Sequence, residues 1–130
     1  MSQENVEIVE EAHRRFSETG EPIWERIDPD TEVFDHDVLD AGTYRGPRGV
    51  ARWLANFGES WEHFEMDLAR VIDVGDQVVS LFRIRAVGAG SGVTVERDDA
   101  MVWTFRDGRL LRLDYFNNPA QALEMVGLSG

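Results

Sequence analysis

The stretch MVWTFRDGRLLRLDYFNNPAQAL, residues 101–123, decides the fold. At its centre, RDGR (106–109) sets Asp-Gly between two apolar runs, and Asp-Gly is favoured where a two-residue turn needs positive φ. The chain is therefore predicted to reverse there. A strand from Val93 to Arg106 enters the turn and one from Leu110 to Asn117 leaves it. Asn118-Pro119 then opens a short helix ending near Gly127, since proline suits a first helical position and glycine suits a helix end.

Working outward, strands are predicted over Phe64–Val74 and Gln77–Val87, reversed by Gly75-Asp76, and GAGSG (88–92) turns the chain again. Before them, Pro47 stands where a first helical residue often stands. Val50, Trp53, Leu54, Phe57 and Trp61 then recur at helical spacing and form a broad apolar stripe. A first helix is expected from Gln3 to Thr19, capped by Ser2 and ended by Gly20, with Val6, Val9, Ala12, His13 and Phe16 on one stripe. A short helix over Pro22–Ile27, a turn at DPD (28–30) and a strand over Glu32–Asp37 complete the order. Helices first and a meander of long strands afterwards read as α+β. The expected architecture is a curved antiparallel sheet wrapped around N-terminal helices, a cone with an internal pocket, in one domain spanning 1–130.

Composition excludes several function classes. Acids outnumber Lys and Arg by 25 to 13, giving a formal charge of −12 that repels phosphate, so nucleic acid is not an expected partner. The absence of cysteine removes disulfides, thiolate metal sites and a cysteine nucleophile. No long apolar run and no basic leader precede the fold, so neither a membrane span nor a cleaved signal is expected, and the cytoplasm fits best.

The sequence resembles the SnoaL-like branch of the nuclear-transport-factor-2-like superfamily. AHRRFSETGEP (12–22), DPDTEVFDHDV (28–38), YRGPRGVARWL (44–54) and the 101–123 hairpin carry the resemblance by their order and separation. The resemblance implies a cone-shaped fold, a pocket for a small apolar molecule and a homodimer. It spans isomerases, cyclases, epoxide hydrolases and proteins without known chemistry, so it does not select an activity.

VFDHDVLD (33–40) holds three aspartates and a histidine. Strand period two sends Asp35 and Asp37 to one face and His36 to the other, so they do not converge on an ion, and no metal or cofactor is expected. The resemblance places Asp35 where ketosteroid-isomerase-like members carry a proton-shuttling base, and His13 near an oxyanion donor; the alternatives are a strand-end salt bridge and a satisfied core histidine. Met101 stands where the second, acidic donor would be and cannot donate.

A second resemblance, to limonene-epoxide-hydrolase-like members, matches Asp114 to a water-activating aspartate and Arg83 to a bridging arginine, while Arg85 replaces the acid. Arg83 and Asp114 are expected to pair on the concave face, either as catalytic groups or as a structural ion pair. Trp53 and Trp103 are expected pocket walls, with Phe116 and Arg85 as further ligand contacts. Three functions follow as expectations: acid–base chemistry on a small apolar carbonyl compound, binding of a small hydrophobic acid through Arg83, or epoxide hydrolysis. A dimerising scaffold is the bland alternative.

Overall fold

The computed structural model describes residues 2–38 and 43–128, so Asp40, expected to be solvated, lies outside the described residues. In chain order come α1 (Ser2–Thr19), a 3-10 turn (Trp24–Arg26), β1 (Ile27–Asp35), β2 (Thr43–Arg45) and α2 (Gly46–Ser60). Then follow β3 (Trp61–Val74), β4 (Gln77–Gly88), β5 (Thr94–Arg106), β6 (Arg109–Phe116) and α3 (Pro119–Met125).

The strands form one six-stranded sheet in the order β2-β1-β6-β5-β4-β3. All neighbours are antiparallel except β1 and β6, which run parallel. This corrects the expected cone: α+β holds, but the sheet is open and does not wrap into a closed or barrel-like shape. β2 and β3 stand at opposite ends of the order and do not pair with each other among the described residues. The reason lies in their lengths. A three-residue β2 offers almost no ladder to a 14-residue β3, and α2, which starts directly after β2, packs on β1, β2 and β3 instead.

Local chemistry explains the elements. Asp107 (φ 54) and Gly108 (φ 74) form the turn that RDGR predicts. Asn118 caps α3, its side chain accepting from the Ala120 N–H at 3.0 Å. Gly49 allows α2 to sit against β2, since a Cβ there would lie 2.8 Å from the Tyr44 carbonyl carbon. Trp61, expected on the helical stripe, instead begins β3. DPD (28–30), expected as a turn, runs within β1, where the pairing with β6 shifts register between Ile27 and Glu32.

The sheet has two unlike faces. Val33, Phe82, Ile84, Trp103, Leu113 and Tyr115 form the inner face and meet Ile8, Val9 and Ala12 of α1 and Val50 and Trp53 of α2. Val79, Ala100, Val102 and Phe116 form part of the outer face, covered by Ala122 of α3. Leu110, expected to share a face with Asp114, joins the inner core. The β5–β6 pairing shifts register between Thr104 and Phe105, so side-chain alternation along β6 restarts after Leu110.

Candidate functional site

Between the two long helices and the inner face lies a cavity of about 80 Å³. His13 and Phe16 of α1, Trp53 and Phe57 of α2, Met66 of β3, Met101 and Trp103 of β5 and Tyr115 of β6 are among its walls. The lining is almost wholly apolar, which is what one stripe of each helix facing one sheet face must produce.

His13 is the exception. It is buried, its ring tilted against Phe82 and Trp103 at centroid distances of 5.2 and 5.8 Å. Its Nδ1 lies 3.1 Å from the Met66 Sδ, and its Nε2 is a buried atom with no hydrogen-bond partner. A thioether only accepts, so the tautomer that satisfies this contact carries the proton on Nδ1 and leaves a lone pair on Nε2. Burial pushes the His13 pKa down to about 4, so the ring is neutral at pH 7.

Asp35 stands on the same face of β1 as Val33 and is half-buried. Its Oδ2 accepts from the Trp53 indole N–H at 2.9 Å. Burial raises its pKa, an effect the Trp53 hydrogen bond partly opposes. Asp35 is not itself a wall of the cavity; Trp53 stands between.

Behind Tyr115 lies a buried polar cluster. Asp99 is fully buried and accepts from Arg97 Nε and NH2 at 2.5 and 3.0 Å and from the Tyr115 hydroxyl at 2.5 Å. Burial foremost, with Asp99 beside it, pushes the Tyr115 phenol well up, so it stays protonated. Met101 lines the cavity, and the acid on this strand is Asp99, two residues earlier on the same face. Alternation in VERDDAMVW (95–103) was the signal that would have found it.

The remaining predicted residues lie elsewhere. Arg83 and Asp114 do not pair. Arg83 contacts Asp98 at 3.1 Å and Glu96 at 3.6 Å, and Arg85 contacts Glu96 at 3.4 Å, all exposed on the outer face. Their cross-strand neighbours explain this, because Arg83 stands opposite Asp98 and Arg85 opposite Glu96. Asp114, fully buried, is gripped by Arg112 at 2.9 and 3.0 Å and by His36 Nε2 at 2.7 Å. The His36 ring stacks on Phe116 at 4.3 Å and 6°, and Arg112 covers Phe34 at 4.1 Å. The structure thus brings His13, Trp53 and Trp103 together at the cavity, puts Asp35 beside Trp53, and leaves Asp114, Phe116, Arg83 and Arg85 on the opposite face. His36, Arg112 and Met66 carry contacts that the sequence does not reveal, because only the folded chain brings them to Asp114 and His13. Among the described residues, no three His, Asp or Glu side chains gather as metal ligands, and no helix is long and apolar enough to cross a membrane.

An open sheet with two long helices on its inner face, a short one on its outer face and an apolar cavity beneath the long pair is the architecture of a nuclear-transport-factor-2-like α+β protein. The chain belongs to the SnoaL-like domain family, whose profile matches residues 17–113. Solved structures agree on the fold. An NTF2-like protein of unknown function from Burkholderia pseudomallei is 18% identical over 95% of this chain and 98% of its own, with a TM-score of 0.78. TerC, co-crystallized with polyporic acid, is 23% identical over 95% and 98%, with a TM-score of 0.77. A putative SnoaL-like polyketide cyclase from Jannaschia sp. CCS1 is 22% identical over 99% and 94%, with a TM-score of 0.75. No curated protein matches the chain.

Proposed function

We propose that the chain performs cofactor-independent proton transfer on a small, mostly apolar carbonyl compound held in the inner cavity. The observation that carries this reading is the His13 Nε2, a buried polar atom without a partner on a residue that lines an apolar cavity. Such an atom costs stability unless a ligand or an ordered water supplies its hydrogen bond. Membership of a family whose relatives include a putative polyketide cyclase supports small-molecule chemistry.

In this reading Asp35 takes a proton from the carbon beside the carbonyl. Its raised pKa brings the carboxylate nearer the range in which a base works at neutral pH, and the Trp53 indole N–H, donating to Oδ2, fixes its orientation. A neutral His13 carries one N–H and one lone pair. It meets the carbonyl or enolate oxygen with the N–H in one tautomer and the enol O–H with the lone pair in the other. Asp35 then returns the proton at the product carbon. Arg83 and Asp114 face the other side of the sheet, so acid binding through Arg83 and water activation by Asp114 find no support at this cavity. The reading also takes the protein as a cytoplasmic homodimer joined through the exposed outer face around Arg83 and Arg85, which sedimentation tests directly.

A second reading is favoured by one observation: Asp35 does not line the cavity. It keeps the ligand and removes the chemistry. Deuterium exchange beside the carbonyl of cyclohexanone, followed by NMR in D₂O, separates the two. The catalytic reading expects exchange above buffer that falls at least about 100-fold in Asp35→Asn while binding persists. Binding without exchange in the wild type assigns the chain to the binders.

A further inference from the structure

An apolar cavity orients and selects its ligand through the few polar groups in its walls. Among the described residues, the walls of the inner cavity carry four polar side chains: His13, Trp53, Trp103 and Tyr115. Each has one polar hydrogen at pH 7, because the His13 ring is neutral and the Tyr115 phenol stays protonated. All four hydrogens are already engaged by acceptors within the protein.

The Trp53 indole N–H donates to Asp35 Oδ2 at 2.9 Å, and the Trp103 indole N–H donates to the Ser80 hydroxyl oxygen at 2.9 Å. The Tyr115 hydroxyl donates to Asp99 Oδ2 at 2.5 Å. His13 Nδ1 meets the Met66 thioether at 3.1 Å, which draws the ring proton to that nitrogen. These acceptors do not release their hydrogens without cost. Ser80 and Asp99 are fully buried, so a ligand that took the Trp103 or Tyr115 hydrogen would weaken a buried acceptor's bonding. What remains is acceptor capacity. An indole offers none, whereas His13 Nε2 keeps a lone pair with no partner.

We infer that the cavity is an acceptor-only site in which His13 Nε2 determines specificity, selecting apolar molecules with a hydroxyl hydrogen (alcohols, phenols and enols) over ketones and carboxylates of the same shape. A ketone oxygen finds a hydrogen only if His13 changes tautomer, which gives up the Met66 contact and turns the Nδ1 lone pair toward the sulfur. A carboxylate finds no donor either, and it leaves water for an apolar wall. This deepens the proton transfer proposed above and rests on it. Of the two ends of a ketone–enol conversion the resting site matches the enol, so binding energy falls on the intermediate rather than on the starting ketone.

The test is NMR titration of the ¹⁵N-labelled protein with three probes built on one ring: cyclohexanol, cyclohexanone and cyclohexanecarboxylate. Cyclohexanol is expected to bind at least about tenfold tighter than cyclohexanone, with the carboxylate weakest of the three. Met66→Leu removes the thioether acceptor and frees the ring proton, so cyclohexanone should gain affinity and draw the His13 ¹⁵N resonances toward the Nε2–H form. His13→Leu should bind alcohol and ketone within about threefold of each other. Cyclohexanone binding as tightly as cyclohexanol in the wild type overturns the acceptor-only site and leaves the proposed proton transfer standing. An alcohol preference that survives His13→Leu overturns the assignment to Nε2. An alcohol preference lost in His13→Leu, without deuterium exchange from cyclohexanone, upholds the selectivity and removes the chemistry. Failure of all three probes to bind overturns both. Should His13→Leu fail to fold, the gain of cyclohexanone in Met66→Leu carries the decision.

Discussion

His13 holds a polar atom where the packing gives it nothing, and the consequence is a pH dependence with a definite sign. Its pKa is about 4 when folded against 6.5 as a free side chain, so between these values the unfolded chain binds the proton that the folded chain refuses. Stability is full above about pH 6.5 and declines as pH falls toward 4, by about 3 kcal/mol. Urea unfolding from pH 7.5 to 4.5 measures this slope, and His13→Leu should flatten it. Asp35 has the opposite sign, because its folded pKa is raised: it weighs against the fold once ionised and is relieved by protonation. Asp35→Asn should therefore leave stability unchanged or raised while removing exchange activity, the combination expected of a working residue rather than a structural one. Asp114 is structural. Arg112→Ala would strand a fully buried carboxylate and should cost roughly 3 kcal/mol in chemical denaturation, a low figure for a buried pair because the guanidinium is partly in water. Burial of His13 was legible in its stripe with Val9 and Phe16. The partners of Asp114 were not, because a strand pattern fixes the face but not which neighbouring side chain reaches across it.

The elements show where sequence reading succeeds and why it fails. RDGR predicted its hairpin because the turn demands positive φ, and Gly108→Ala should cost about 1 kcal/mol or more, since φ is +74 there and a Cβ would meet the Glu4 carboxylate at 2.8 Å. Asn118-Pro119 predicted α3, and Asn118→Ala should lower stability by about 1 kcal/mol and loosen the cover over Val79, Val102 and Phe116. Thermal melts check both. By contrast, Thr43–Arg45 is too short to carry a period, and only its pairing with Glu32–Phe34 makes it β2. DPD looked like a turn, yet proline is tolerated where β1 shifts register against β6. The cone failed for the same reason as β2. Whether a sheet closes depends on its two edge strands, and one of them was invisible.

At the scale of the whole molecule, all 13 Lys and Arg positions are arginine and the formal charge is −12. Self-repulsion should therefore outweigh the exposed Arg–carboxylate pairs, each worth about 0–1 kcal/mol. Raising NaCl from about 0.01 to 0.15 M, which shortens the screening length from about 30 to 8 Å, should raise the melting temperature; a fall would mean that the outer-face ion pairs dominate. The apolar cavity meets one unsatisfied imidazole nitrogen, His13 Nε2. The most direct measurement is ¹⁵N NMR of the histidine rings during titration with cyclohexanol. The His13 Nε2 resonance is expected to move on saturation while His36, held by Asp114, and exposed His63 stay in place. An unmoved His13 at saturating alcohol, or equal movement of all three rings, would contradict it.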